Sequence, residues 1–184
     1  MKNKTNIAIV GLGQIGCYLF NELKNKKKDI KLLTGKDINV VAISAKNKNK
    51  KRRFKIDKKI FYKDPLKILD RKNIDILFEC IGQSEGISKK IVETALKSKI
   101  HVITPNKALI SKHGDYLSKI AENKKVNLEF EASVGGGIPI LRTVKEGLST
   151  NVITKIYGIL NGTCNYILSE MDKTNDNFKN VLKK

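Results

Sequence analysis

The clearest structural signal of the chain lies near its amino terminus, in Ile7-Ala8-Ile9-Val10-Gly11-Leu12-Gly13-Gln14-Ile15-Gly16. The first four residues form an apolar run typical of a buried strand, and the glycines follow the spacing G-x-G-x-x-G. Apolar residues then recur at helical spacing from Gln14 to Lys26. In this context the first glycine permits a tight turn, the second lets the backbone approach a pyrophosphate, and the third allows close packing of helix on strand.

This turn predicts a dinucleotide site, because the N–H groups and the positive dipole at the start of a helix attract an anion. The predicted binding residues are Gly11, Leu12, Gly13, Gln14, Ile15 and Gly16. The alternative is a glycine turn in another kind of α/β domain, since glycine triplets also occur by chance. The strand before the turn and the helix after it favour the dinucleotide site.

Beyond the turn, short apolar runs alternate with helical patterns, which is typical of βαβ units around a parallel sheet. The predicted strands after the first are Ile38–Ile43, Ile74–Ile81, Ile100–Ile103 and Val126–Phe130. The predicted helices are Ser84–Lys99, one that ends near Lys124, and a short one opened by Asp64-Pro65. The sequence therefore predicts an α/β fold with a Rossmann-type doubly wound parallel sheet.

The glycine-rich segment Gly135-Gly136-Gly137 interrupts this alternation, and we place a domain boundary there. Residues 1–135 are expected to form the nucleotide-binding domain, and residues 136–184 the start of a second, α+β domain. For this second domain we predict a helix over Pro139–Gly147, a strand over Ile153–Leu160 and a helix from Tyr166. The residues after the boundary are too few for an independent core, so we expect this domain to be incomplete.

The charge of the chain is strongly positive, with 37 basic and 18 acidic residues among 184 and a formal net charge of +19. Such a balance attracts anionic ligands. It does not favour a dedicated nucleic-acid function, because only four of the basic residues are arginine, aromatic residues make up 6% and tryptophan is absent.

Apolar runs in the chain are short. None approaches the roughly 18 residues of a membrane span, and the run after the amino terminus is too short for a signal peptide. We therefore expect a cytoplasmic protein that binds a small molecule and no membrane. The three cysteines have no zinc-site spacing, and their odd number disfavours a disulfide framework. Cys17 and Cys80 lie in apolar segments and are interpreted as buried thiols; we also count Cys80 among the candidate cofactor-binding residues.

The end of the second predicted strand bears on which dinucleotide binds. An NAD site would offer Asp or Glu there to the ribose hydroxyls, whereas this chain has Ser44-Ala45-Lys46 followed by a basic run. A hydroxyl and an ammonium can bind a 2′-phosphate that a carboxylate would repel. We therefore predict NADP(H) over NAD(H), with Ser44 and Lys46 as ligands and Lys48 or Lys50 as further candidates. The alternative for the rest of the basic run is a solvated loop.

Three later segments gain meaning when they are taken together. They are Thr104-Pro105-Asn106-Lys107-Ala108-Leu109, Glu131-Ala132-Ser133-Val134-Gly135-Gly136-Gly137-Ile138-Pro139 and Gly158-Ile159-Leu160-Asn161-Gly162-Thr163-Cys164-Asn165-Tyr166-Ile167-Leu168. In this order, after a G-x-G-x-x-G turn, they closely resemble homoserine dehydrogenase. The resemblance covers residues 5 to about 180, and the third segment is its most specific part. It implies a reversible, NAD(P)-dependent interconversion of L-homoserine and L-aspartate 4-semialdehyde, in the biosynthesis of threonine and methionine.

The resemblance also implies a catalytic role for Lys107, whose position in the family is tied to NADPH and catalysis. A lysine ammonium near the nicotinamide can polarise or protonate a carbonyl oxygen. The alternative is a surface lysine that opens a helix. Asn161-Gly162-Thr163 resembles the turn that faces substrate and nicotinamide; the alternative is that it caps the following helix.

The segment Glu131–Ile138 resembles the family's monovalent cation site. The matching ligands are the Glu131 side chain and the carbonyls of Val134, Gly136 and Ile138, and oxygen ligands of this kind suit a sodium-like ion. The alternative, a turn that joins two domains, does not exclude such a site.

One departure from the family concerns the substrate. In the family the catalytic domain continues, with Glu, Asp and Lys residues that contact substrate, and none of these is matched here. We therefore expect the cofactor domain with the first part of the substrate domain, a homodimer in the full-length form, and slow turnover by this part alone. The alternatives are a non-catalytic NADP-binding module or subunit, and another amino-acid dehydrogenase of related fold.

Overall fold

The chain folds into two units. The computed structural model describes residues 3–47, 52, 54, 56–71, 73–159 and 161–183. Contacts between Cα atoms divide the chain into Met1–Phe130, which we call the sheet unit, and Glu131–Lys184, which we call the helical unit. This division falls shortly before the boundary that the sequence predicts after residue 135. Lys48 and Lys50, two candidate phosphate ligands, lie outside the described residues.

The described residues of the sheet unit form six strands. They are β1 (Lys4–Val10), β2 (Asp37–Ser44), β3 (Phe61–Tyr62), β4 (Ile76–Glu79), β5 (His101–Ile103) and β6 (Leu128–Glu129). All pair in parallel, in the order β3-β2-β1-β4-β5-β6. The strand order reverses between β1 and β4, and in such sheets the ligand crevice lies at the carboxyl ends of the strands beside the reversal. Val10, at the end of β1, pairs with Ser44 on one side and Glu79 on the other.

Helices cover both faces of this sheet. They are α1 (Gln14–Asn25), α2 (Lys27–Thr34), α3 (Ile87–Lys97) and α4 (Lys107–Lys124). Because side chains alternate along a strand, β1 sends Ala8 and Val10 into the core lined by α3 and α4, and Ile7 and Ile9 into the core lined by α1. The predicted α/β fold with a doubly wound parallel sheet is confirmed.

Most predicted elements of the sheet unit are present with tighter bounds. The predicted strand Ile74–Ile81, for example, is β4, and the short helix after Asp64-Pro65 is a 3-10 turn over Leu66–Ile68. The sequence pattern predicts neither α2 nor β3. No residue of α2 is buried, so the helix lacks the apolar periodicity that reveals a helix, and β3 has only two residues.

The helical unit begins with a 3-10 turn over Glu131–Ser133. It continues with α5 (Ile140–Arg142), a π-helical segment over Thr143–Gly147, α6 (Gly162–Thr174) and α7 (Phe178–Lys183). The predicted strand Ile153–Leu160 is wrong, because residues 153–159 form no strand. Strand backbone needs a partner for its N–H and C=O groups, and the described part of this unit contains no strand that could supply them. Within the described ranges, no helix has the length and apolar character needed to cross a membrane.

Candidate functional site

The glycine turn after β1 is packed so closely that two of its positions admit no side chain. Gly11 has φ +94°, and a Cβ there would lie 2.6 Å from the carbonyl carbon and oxygen of Cys80. A Cβ on Gly16 would lie 1.9 Å from the carbonyl oxygen of Gly11. The backbone N–H of Gly11 donates to the carbonyl of Ser44 over 2.9 Å. These contacts hold the turn between the ends of β2 and β4.

Gly13, by contrast, faces open space. It is the N-cap of α1, and no heavy atom lies within 4 Å of the position that its Cβ would take. The first turn of α1 carries no acidic residue. Around this opening Gln14 and Ile15 are exposed, while Leu12 and Gly16 are buried and anchor the turn. An open cradle at the start of a helix of 12 residues, without a competing carboxylate, fits the pyrophosphate of a dinucleotide.

Ser44 and Lys46 occupy different environments at the end of β2. Ser44 is only 2% exposed, and its carbonyl oxygen holds the glycine turn. Lys46 is exposed, so its ammonium is the group of this pair that a 2′-phosphate can reach. Arg52, which the sequence prediction does not single out, donates from Nη2 to the carbonyl of Asn47 over 2.8 Å. The structure therefore adds a second cation to the segment after β2.

Cys80 follows β4 and borders the glycine turn through its backbone. Its N–H donates to the carbonyl of Val10 over 2.7 Å. Burial, together with the neighbouring Glu79 carboxylate, raises the pKa of the Cys80 thiol to about 12. The thiol is therefore neutral near pH 7, and a neutral thiol is a poor nucleophile. The contribution of Cys80 to this site is the shape of its backbone.

Lys107 is the first residue of α4, and its side chain is exposed. Asn106 caps this helix: its Oδ1 accepts a hydrogen bond from the Leu109 N–H over 3.1 Å. Because β1, β4 and β5 run parallel and adjacent, the segments that follow them meet at one edge of the sheet. Lys107 and the glycine turn therefore share the carboxyl edge.

A buried carboxylate lies at the same edge and escapes the sequence prediction. Glu79 is 0% exposed and accepts hydrogen bonds from the segments that follow both β4 and β5. A signal for it exists in the sequence, since Glu79 and Asp75 are acidic residues within the mostly apolar predicted strand Ile74–Ile81. Thr104 and Asn106 are also buried.

The two histidines have structural contacts. His113 Nε2 lies 2.9 Å from Glu85 Oε1, and His101 Nδ1 accepts a hydrogen bond from the Asn127 N–H over 3.0 Å. A cavity of about 570 Å³ lies near the amino ends of the strands, lined in part by Lys4, Lys36 and Lys99. It contains none of the predicted cofactor-binding residues, which follow the carboxyl ends of the strands at the opposite edge of the sheet.

In the helical unit, Glu131 lies where the resemblance predicts a cation ligand. Its two carboxylate oxygens accept hydrogen bonds from the N–H groups of Leu141 and Arg142, each over 3.0 Å. Gly135 and Gly136 have φ of +70° and +66°, which turns the chain sharply after Val134. A carboxylate oxygen has a second lone pair, so these hydrogen bonds leave Glu131 able to bind a cation.

Asn161 acts as a helix cap. Its Oδ1 accepts a hydrogen bond from the Cys164 N–H over 3.0 Å, so α6 begins at Gly162, before the predicted start at Tyr166. Thr163 is exposed in the first turn of this helix. The sequence leaves two roles open for Asn161, a contact with substrate and nicotinamide or a helix cap, and this hydrogen bond corresponds to the cap.

Comparison with known proteins gives one family. Residues 11–131 match the homoserine dehydrogenase NAD binding domain, and residues 139–184 match the homoserine dehydrogenase domain. The homoserine dehydrogenase of Neisseria gonorrhoeae is 37% identical over 97% of this chain and 40% of its own length; that of Bacillus subtilis is 36% identical over 96% and 41%.

A solved structure gives the same result. The crystal structure of a homoserine dehydrogenase from Thiobacillus denitrificans superposes with a TM-score of 0.81 and 34% identity, over 98% of this chain and 41% of that one. The chain thus spans about two fifths of the length of these relatives. Its NAD binding domain and its following segment match one family in the same order, and the chain belongs to the homoserine dehydrogenase family.

Proposed function

We propose that this chain carries the cofactor site of an oxidoreductase that interconverts L-homoserine and L-aspartate 4-semialdehyde with NADP(H). The observation that supports this most is the match of both of its parts, in order, to homoserine dehydrogenase. The open cradle at Gly13 supports it independently, because it fits the anionic part of a dinucleotide. The chain spans only part of its relatives, so this proposal concerns the whole enzyme to which such a chain contributes.

In the proposed reaction, bound NADPH supplies the hydride that reduces the aldehyde. The residues Gly11–Gly16 bind the pyrophosphate through the N–H groups at the start of α1, and the buried Leu12 keeps the turn in place. Lys107 places its ammonium at the carbonyl oxygen of the substrate. There it polarises the carbonyl and stabilises the negative charge that develops on the oxygen.

The proposed preference for NADP(H) rests on the segment after β2. Lys46 is exposed there, Arg52 bonds to the Asn47 carbonyl nearby, and no carboxylate stands at the end of β2 to repel a 2′-phosphate. Ser44 supports the turn through its carbonyl. We expect NADPH to bind more tightly than NADH, and Lys46→Ala combined with Arg52→Ala to narrow the difference. Direct titration of both coenzymes checks this.

Four further properties are proposed for the whole enzyme. A monovalent cation binds at Glu131 with the carbonyls of Val134, Gly136 and Ile138, and the sharp turn at Gly135 and Gly136 supports this. We also propose a homodimer and a cytoplasmic location, and no dedicated nucleic-acid partner.

The cofactor site is tested by placing a charge in the cradle without disturbing the fold. Gly13→Asp introduces a carboxylate where no neighbour clashes, and Gly13→Asn introduces the same volume without the charge. We expect the Asp variant to bind NADPH at least about tenfold more weakly than the Asn variant, because each 1.4 kcal/mol of repulsion is one factor of ten. Titration of NADPH fluorescence measures both. Equal affinities would contradict the proposed cradle.

The reaction itself is tested in a cell that requires homoserine. Because the chain spans only about two fifths of its relatives, we expect it to support slow growth at most; growth that Lys107→Met abolishes would support the enzyme. Saturable NADPH binding without rescue would instead favour the cofactor-binding module or subunit.

A further inference from the structure

Glu79 is a buried acidic residue of the sheet unit that the proposed reaction does not use. It is the last residue of β4 and is 0% exposed. Its side chain lies on the same face of the strand as that of Leu77, which is part of the hydrophobic core. Removing a carboxylate from water is unfavourable unless hydrogen bonds replace the lost hydration. An apolar residue would fill this position without needing hydrogen bonds. The presence of a carboxylate therefore suggests that its hydrogen bonds have a role.

Four neutral donors surround the Glu79 carboxylate. Oε1 accepts from the N–H groups of Ile81 and Gly82, over 2.8 and 3.2 Å, and from the Ser88 hydroxyl over 3.1 Å. Oε2 accepts from the Thr104 hydroxyl over 2.6 Å. The two oxygens therefore join the segment after β4 to the segment after β5, across a separation of 25 residues.

The network continues from Thr104 to the start of α4. Thr104 Oγ1 accepts a hydrogen bond from the Asn106 N–H over 3.0 Å. The side-chain amide of Asn106 makes two further hydrogen bonds. Its Nδ2 donates to the Gln83 carbonyl over 2.8 Å, and its Oδ1 caps α4 by accepting from the Leu109 N–H. The hydrogen bonds thus close a ring from Glu79 through Thr104 and Asn106 back to the segment after β4. Lys107 directly follows this ring.

We propose that Glu79 is a positioning residue, whose carboxylate fixes Thr104 and Asn106 and thereby sets where Lys107 stands against the nicotinamide end of the bound cofactor. This inference rests on the proposed function. Glu79 and Thr104 are both fully buried, so neither contacts the cofactor directly. They act through the start of α4, and Glu79 also stands next to Cys80, whose backbone bounds the glycine turn.

The test removes the Thr104 hydroxyl, which breaks both its hydrogen bond to Glu79 and the one that it accepts from the Asn106 N–H, and leaves the hydrogen bonds of the Asn106 side chain in place. Thr104→Val removes the hydroxyl with little change of volume, while Thr104→Ser keeps it and should restore the wild-type behaviour. Glu79→Gln is a second variant that removes the charge at nearly constant size. Ser88→Ala is the matched control, because it removes one hydrogen bond to Glu79 from α3 and leaves the path to Lys107 intact.

Two ligands separate positioning from loss of structure. NADPH has both an adenosine part, which is expected at the glycine turn and the segment after β2, and a nicotinamide, which is expected near Lys107. Adenosine 2′,5′-bisphosphate has the adenosine part and lacks the nicotinamide. We expect Thr104→Val and Glu79→Gln to weaken NADPH binding by about three- to tenfold, which corresponds to the net stabilisation by one hydrogen bond. The affinity for the bisphosphate should not change. In a Lys107→Met background, Thr104→Val should produce no further loss, because the effect passes through Lys107. Calorimetric titration of the full chain measures all of these affinities.

The outcomes distinguish this inference from the proposed function. If Thr104→Val weakens the binding of both ligands equally, or weakens NADPH binding no more than Ser88→Ala does, the network has only a structural role and the positioning role is overturned. The proposal that the chain binds the cofactor is then unaffected. If Thr104→Val still weakens NADPH binding in the Lys107→Met background, Glu79 does not act through Lys107. If the folded wild-type chain binds neither ligand, the proposed function itself fails.

Discussion

The two units of this chain differ in how they bury apolar side chains. Every buried apolar residue that the structure describes lies in the sheet unit, except Ile167 and Val181. Both units expose some large apolar side chains, such as Leu32 at 86% in the sheet unit and Val152 at 91% in the helical unit, but the helical unit buries few in exchange. The sheet unit thus has a hydrophobic core on each face of its sheet, and these two cores hold the segments of the cofactor site in place. The helical unit derives little order from burial.

The largest expected effect concerns the glycines. Gly16→Ala should destabilise the sheet unit by at least about 3 kcal/mol, because the added Cβ would lie 1.9 Å from the Gly11 carbonyl oxygen and the backbone of the turn must shift. Gly147→Ala is the control in the helical unit: no atom lies within 4 Å of its Cβ position, so it should not destabilise the chain and should be neutral or stabilising by up to about 1 kcal/mol. Urea unfolding followed by circular dichroism measures both. A neutral Gly16→Ala would show that the turn is not closely packed.

A second pair of variants compares burial directly. Leu77, in β4, is 0% exposed, and Leu77→Ala should cost about 2–5 kcal/mol, the range for a cavity in a packed core. Leu182, in α7, is 60% exposed, and Leu182→Ala should change the unfolding free energy by less than about 0.5 kcal/mol. A large loss from Leu182→Ala would mean that α7 packs more tightly in solution than its exposure indicates.

The smallest expected effect depends on pH. Hydrogen bonds from Lys112 and then His113 lower the pKa of the Glu85 carboxyl from its ordinary 4.5 to about 2. A carboxyl whose pKa is lowered by folding stabilises the folded state above pH 4.5, and this contribution disappears as the pH falls towards 2. Glu85→Gln should therefore lower the urea midpoint slightly at pH 6 and not at pH 2. The exposed pair of Arg142 and Glu146 in the helical unit provides the control, since Glu146→Gln should change little at either pH.

The sequence predicts the sheet unit well because burial leaves a periodic pattern. Strands such as Ile7–Val10 are continuous apolar runs, and the glycine spacing fixes both the turn and the helix that follows. Where burial is absent the pattern fails. The helix α2 has no buried residue and goes unpredicted. The apolar residues of 153–159 suggest a strand, although the described part of the helical unit contains no strand that could pair with them.

The candidate site is predictable only in part, for a related reason. Glycine spacing points to Gly11–Gly16, and the family motif points to Lys107, since both are local in sequence. Glu79 contacts Thr104 across 25 positions, and no local pattern indicates that pairing. The burial of Ser44 likewise follows from tertiary packing, and it is the reason that Lys46 is the better candidate for a phosphate ligand.

The most direct test of this account is a heteronuclear NMR titration of the full chain with NADPH. The amides of Gly13, Gln14 and Ile15 should shift saturably, because the start of α1 binds the pyrophosphate. The same titration should leave the amides of Lys4 and Lys36 unchanged, since they line the cavity near the amino ends of the strands. Shifts confined to that cavity, or no shifts in a folded chain, would contradict the assignment of the glycine turn as the cofactor site.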